Sequence, residues 1–120
     1  MSEKNWHDIG PVDSLKEPSI REIKIDNTVV ALSYSNGEFG AISNVCNHVG
    51  GPLGQGHLDG EFVVCPWHHY KFNRKNGEGE PGFEEDRVPQ YDLRIENNHI
   101  FINLKPKTER NKLPHPPHPL

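Results

Sequence analysis

Two short motifs constrain this chain more than anything else in it: Cys46-Asn47-His48 and, beyond residues 49–64, Cys65-Pro66-Trp67-His68. Each offers one thiol and one imidazole within four residues, so a single tight loop can present both. Cysteine and histidine are the ligand types that zinc and iron select. The order matters as much as the types. Because cysteine and histidine alternate along the chain, paired loops can send both sulfurs to one metal and both imidazoles to another. A single tetrahedral zinc is the competing use of the same four side chains. Zinc-finger spacing, however, keeps the cysteine pair together and the histidine pair together. Two buried thiols without a metal is the plain alternative.

The rest of the composition makes a metal staple useful. The chain has 120 residues, only 32% of them hydrophobic, with eleven glycines and eleven prolines. One domain with a thin core and many turns is expected, and small domains of that kind usually need a staple. Two cysteines are too few for a disulfide framework, and a reducing cytoplasm argues against a single bridge. The net charge is −4 and no basic run occurs, so nucleic acid is not an expected partner. No apolar stretch approaches the ~20 residues of a membrane span. The opening MSEKNWHDIG lacks the apolar segment of a signal peptide. A soluble cytoplasmic protein is the expectation.

Hydrophobic periodicity predicts strands. Ile23 and Ile25 alternate with polar residues, Asp26-Asn27 offers a turn, and Val30, Leu32 and Tyr34 continue the period of two. Asn36-Gly37 is a strong hairpin signal before Phe39 and Ile42. A short strand is expected over 61–64. Later, Tyr91, Leu93 and Ile95 alternate with Asp92, Arg94 and Glu96, and Asn97-Asn98 leads back into Ile100, Ile102 and Leu104. No convincing amphipathic helix appears. The segment Cys46–Gly60 and a second loop over 76–86 are rich in glycine. Residues 106–120 are proline-rich and read as an extended tail or linker.

The segment CNHVGGPLGQGHLDGEFVVCPWH resembles the cluster-binding signature of Rieske domains. The likeness includes both ligand pairs, their separation, Gly51-Pro52-Leu53 after the first loop and Pro66-Trp67 within the second. It implies an all-β fold of stacked antiparallel sheets over residues 1–105, with two cluster-binding loops at one end. It also implies one 2Fe–2S cluster per subunit, Cys46 and Cys65 on the inner iron and His48 and His68 on the outer. On that ligation the added electron should sit on the histidine-bound iron. Loss of the outer imidazole protons should then lower the potential at alkaline pH.

Rieske proteins of respiratory cytochrome complexes resemble this chain but carry two further cysteines at positions matching Gly51 and Trp67. That disulfide cannot form here. Their serine and tyrosine hydroxyls near the cluster match Tyr70 and Phe72. Fewer hydroxyl donors imply the low end of the Rieske range, roughly −150 to 0 mV. The pattern is similar to soluble Rieske ferredoxins, including those serving ring-hydroxylating dioxygenases. Where the family often has glycine after the second histidine, this chain has His69, read as a solvent-facing side chain or a charge beside a docking surface. The ordinary expectation for Trp67 is a buried ring. Pro81-Gly82 suggests a third covering loop. The acidic run Glu78, Glu80, Glu84, Glu85 and Asp86 reads as a solvated loop or as steering for a basic partner.

The functional expectation is a one-electron carrier between a flavin reductase and a terminal oxygenase, without catalysis of its own. The alternatives are a Rieske module of a larger oxidoreductase and a zinc-bound structural domain. A catalytic oxygenase subunit would need a two-histidine, one-carboxylate iron domain, and no nucleotide-binding glycine motif is present for oxidising a nicotinamide.

Overall fold

Period-two alternation becomes three antiparallel sheets in the computed structural model, which describes residues 6–46, 50–67, 69–83 and 85–105. The strands are β1 (Trp6–Pro11), β2 (Ile20–Ile25), β3 (Thr28–Ser35), β4 (Glu38–Ser43), β5 (His57–Asp59), β6 (Phe62–Val64), β7 (Lys71–Asn73), β8 (Leu93–Glu96) and β9 (His99–Asn103). Short 3₁₀ turns cover Val12–Leu15 and Leu53–Gln55, and no α-helix occurs among the described residues. The sheets run β1-β9-β8, β2-β3-β4 and β5-β6-β7. The all-β, stacked antiparallel architecture expected from the sequence is therefore what the chain adopts. The proline-rich segment 106–120 lies outside the described residues.

The tight turns use the residues that tolerate positive φ. Asn36 and Gly37 stand at φ 52° and 80°, between the paired ends Ser35 and Glu38. Asn97 and Asn98, at 52° and 65°, do the same between Glu96 and His99. Positive φ at both central residues matches the right-handed twist of the flanking strands.

The β2-β3-β4 sheet is the middle layer, because β3 is buried on both faces from Val30 to Ser33. Successive side chains point to opposite faces. Val30, Leu32 and Ala41 meet Leu15, Tyr91, Ile100 and Ile102 in one core. Ala31 and Ile42 face the other way, into a core with Ile20, Cys46, Leu53, Val63, Cys65, Phe72 and Val88. The apolar layer thus ends on both cysteines, so the scaffold and the site share one core.

Tyr91 lies in the first core, its N–H bonded to the Ala41 carbonyl at 3.0 Å. Burial pushes its phenol above the usual value of 10.0. The unfolded chain ionises first, so the resulting stability is present below that value and is lost as pH rises through it. Melting temperature should fall more steeply on the alkaline side for the wild type than for Tyr91→Phe, as differential scanning fluorimetry across that range would register. Identical slopes would refute the assignment to Tyr91.

Ile95 departs from the expected alternation. It is 54% exposed, because it pairs with Ile100 one step from the hairpin tip, beyond the edge of the facing layer. His7 and His99 are half-buried and His57 is exposed. His99 Nδ1 meets the Asp8 carboxylate at 2.9 Å, joining β9 to β1, and that hydrogen bond holds the Asp8 carboxyl below its usual range.

Candidate metal centre

Two loops leave the sheets at the same end and close in the same way. In the first, the Cys46 N–H donates to the Gly51 carbonyl at 3.0 Å, and the Gly50 N–H returns to the Cys46 carbonyl at 2.9 Å. In the second, the Cys65 N–H donates to the Tyr70 carbonyl at 2.8 Å, and the His69 N–H returns to the Cys65 carbonyl at 3.0 Å. Both loops are thus six-residue closures with the cysteine at the head. The equivalent fifth positions, Gly50 and His69, share left-handed φ values of 74° and 62°. Glycine adopts that backbone without strain; a histidine there costs some stability. In chain order His48 falls within the first closure and His68 within the second, and both lie outside the described residues.

Each loop is held at its neck. The first is clasped by Asn44, whose carbonyl accepts from Leu53 N–H at 2.7 Å and whose Oδ1 accepts from Gly54 N–H at 2.6 Å. The Asn44 amide donates in turn to the Glu22 carboxylate at 2.7 Å, tying the loop to β2. The second is a hairpin loop whose neck is the Val64–Lys71 pair of β6 and β7. Sequence reading missed Asn44 and Glu22; the one available hint was an asparagine two residues before a cysteine, too common to single out.

Gly51 joins the two loops. A Cβ there would stand 2.7 Å from the Cys65 sulfur and 3.1 Å from the Trp67 ring. Positions 51 and 67, which hold the extra cysteines in the respiratory relatives, thus face each other here as a glycine under an indole. Both cysteines are almost fully buried, at 1% and 0% exposure, and no disulfide joins them. Trp67 is not the buried ring that was expected: it is 56% exposed. It packs over Gly51 with one face and leaves the rest to solvent, because the loop tip has no further layer to cover it.

A third loop abuts the second. Phe83 N–H donates to the Glu80 carbonyl at 2.7 Å, closing a tight turn through Pro81-Gly82. His69, Tyr70 and Phe72 of the second-loop region and Glu80, Phe83 and Asp86 of the third line one notch of about 220 Å³.

The donor set fits an iron–sulfur cluster. Two buried thiols head twin closures in one apolar core, with a glycine where any side chain would crowd the sulfur. Such an arrangement defines a β domain built to hold a metal–sulfur centre between paired loops. The profile of the family described as Rieske [2Fe-2S] domain matches residues 5–92, and the chain belongs to that family. It is a 2Fe–2S protein.

Among relatives, the chain is 34% identical over 93 residues to apoptosis-inducing factor 3 of Homo sapiens, a match covering 76% of this chain and 15% of that protein. The chain therefore spans only a small part of that relative. It is 26% identical over 102 residues to the ferredoxin component of the naphthalene 1,2-dioxygenase/salicylate 5-hydroxylase systems of a Ralstonia species, covering 85% of this chain and 98% of that one. The fold also matches a chain in the complex of reduced oxygenase and oxidized ferredoxin in carbazole 1,9a-dioxygenase. There the TM-score is 0.73 at 20% identity, over 82% of this chain and 93% of that one.

Proposed function

We propose that this chain is a one-electron carrier whose 2Fe–2S cluster is held by Cys46 and Cys65 on one iron and by His48 and His68 on the other. The observation that carries this reading is the pair of buried thiols at the heads of two identically closed loops. When bound, the cluster supplies a centre that gains and loses one electron. The protein's part is to hold the sulfurs away from water and to fix the loops. Gly51 lets the first loop lie against the second, and Phe72, wholly buried, closes the inner side with a ring that has no hydroxyl to offer.

The domain receives electrons from a flavin reductase and delivers them to a terminal oxygenase, in the cytoplasm, and is no catalyst by itself. Near-complete coverage of a dioxygenase-system ferredoxin supports that reading. Among the described residues no helix is long and apolar enough to cross a membrane. A second reading is a Rieske module within a larger oxidoreductase. It is favoured by the human relative, which matches over only 15% of its own length.

Purified protein is expected to be red-brown, with visible absorption bands that bleach on one-electron reduction. Low-temperature electron paramagnetic resonance of the reduced form should carry the low average g value of mixed cysteine and histidine ligation. A colourless zinc protein would end the proposal. Voltammetry should place the potential at roughly −150 to 0 mV, since of the two matching hydroxyl positions only Tyr70 keeps one, Phe72 has none, and Gly51 and Trp67 form no disulfide. A value near +250 mV would refute that tuning argument and leave the cluster intact. Isolation from the native host as a free chain, rather than in a stable complex, separates the carrier from the module.

A further inference from the structure

We infer that the open groove between the β3–β4 hairpin and β8 is a binding site for a small aromatic acid, a flat apolar ring system bearing one carboxylate. The inference is independent of the carrier reading, because none of the residues it uses belongs to a cysteine loop or to the third loop.

Four large apolar side chains among the described residues are markedly exposed. Val45, Trp67 and Phe83 lie on loops; the fourth, Ile95, lies on β8, the free edge of the β1-β9-β8 sheet. Leu93 and Ile95 of β8 form one wall of a groove of about 520 Å³, with Ile100 of β9 at its floor. The β3–β4 hairpin supplies the other wall through Tyr34 and Phe39. These two are cross-strand partners, with ring centroids 4.6 Å apart and planes tilted by 47°. One wall is therefore aromatic and the other aliphatic. A flat ring fits such a slot, packing on aromatic rings on one side and gaining dispersion contacts on the other. The volume lies in the range of small-molecule sites, which are apolar with a few placed polar groups.

The polar groups select the charge of the occupant. The charged side chains that line the groove among the described residues are Lys16, Lys75 and Glu38, a net positive charge in a chain of net charge −4. Lys75 is committed, its Nζ standing 2.6 Å from the Glu38 carboxylate. Lys16 is the cation left to bind. Its own partner, Asp13, is 3.6 Å away with a side chain 80% exposed, and a pair of that kind is weak. The Lys16 ammonium lies 5.6 Å from the centre of the Tyr34 ring, so it stands beside the aromatic wall. A carboxylate one or two bonds from a ring in the slot meets that ammonium in a charge-assisted hydrogen bond. A ring bearing an amine would meet a like charge there. An alkyl acid would keep the ion pair but lose the ring contacts.

The test titrates the oxidised holoprotein, full length, with indole-3-acetate in a calorimeter, and follows the Tyr34 and Ile95 signals by nuclear magnetic resonance. A dissociation constant on the order of 100 µM is expected, in keeping with a ligand of this size, with both signals shifting. Indole-3-ethanol has the same ring without the charge and should bind about tenfold more weakly. Octanoate, an acid without a ring, should also bind about tenfold more weakly. Lys16→Glu and Ile95→Asp, both at exposed or half-exposed positions, should each weaken indole-3-acetate by about tenfold, and Lys16→Arg should restore it. Lys24→Glu, outside the groove, should change nothing. No heat and no shifted signals would overturn the site. Equal affinity for the alcohol would overturn the role of Lys16, and equal affinity for octanoate the aromatic class. A change in the visible spectrum on titration would place the acid at the cluster instead, and overturn the groove. So would sedimentation showing a wild-type dimer that Ile95→Asp dissolves, since a second copy would then fill it.

Discussion

Exchanging Cys65 for serine is expected to give a colourless protein with no inorganic sulfide and less than a tenth of the wild-type iron, unable to pass an electron. The size of the effect follows from the site. Cys65 is wholly buried, heads the second closure, and lies against Gly51 of the first loop. A hydroxyl is a poor ligand for iron in a sulfur site, where thiolate is required. It is also a poor substitute in the core, where an unpartnered hydroxyl costs about 1–3 kcal/mol. Ile42, Leu53, Val63 and Phe72 surround both cysteines in one cluster, so a cluster-free variant should also melt lower than the holoprotein. Cys46→Ser should behave alike, and His57→Ala, exposed on β5 and within neither closure, should keep full iron. Iron and sulfide analysis with absorption spectra decides the matter. Wild-type cluster content in Cys65→Ser would disprove the ligand assignment.

Arg74→Met is expected to cost about 3 kcal/mol and to lower the melting temperature by on the order of 10 °C, with the isolated protein still red-brown when cold. Arg74 is the largest wholly buried side chain of the described residues. Its guanidinium donates to the carbonyls of Ser35 at 2.9 Å and Glu38 at 3.1 Å and to the Ser33 hydroxyl at 3.3 Å, and pairs with the Glu61 carboxylate at 3.1 Å. Its backbone N–H donates to the Glu61 carbonyl, and a Cβ at Gly40 would stand 2.4 Å from its carbonyl oxygen. One cation thus clamps the β3–β4 hairpin to the sheet that carries the second cysteine. Methionine fills the stem but satisfies none of the acceptors. The Glu61 side chain is 41% exposed, but the oxygen that meets Arg74 is buried, so the penalty falls both on the hairpin carbonyls and on that carboxylate oxygen. Thermal unfolding followed by circular dichroism and by loss of visible colour should show the two signals falling together. An unaltered melting temperature would show the clamp to be energetically idle.

Much of this was legible in residue order. The alternations through β2, β3, β4, β8 and β9 and the Asn-Gly and Asn-Asn turns declare their hairpins, because strand geometry has a period of two and positive φ selects few residues. The strands β5 and β7 were not legible, since three residues cannot display a period and, unlike the apolar run Phe62-Val63-Val64 of β6, His57-Leu58-Asp59 and Lys71-Phe72-Asn73 each hold one apolar residue between polar ones. Their pairing with β6 is set by contact across the sheet. The exposed Trp67 also ran against expectation. Composition alone favours burying an indole, and only the layer count shows that nothing lies above the loop tip.

By itself the sequence determined the class of cofactor and the all-β character, and it carries the Cys-x-His and Cys-x-x-His spacing on which the proposed ligand set rests, because each is written in local spacing and residue type. Tertiary structure alone decided that the two cysteines share a core, that Gly51 lies against the Cys65 sulfur, and that Asn44, Glu22 and Arg74 fix the loops. Those are contacts between segments far apart in the chain. Their free energy depends on packing and burial in three dimensions, which no local pattern encodes.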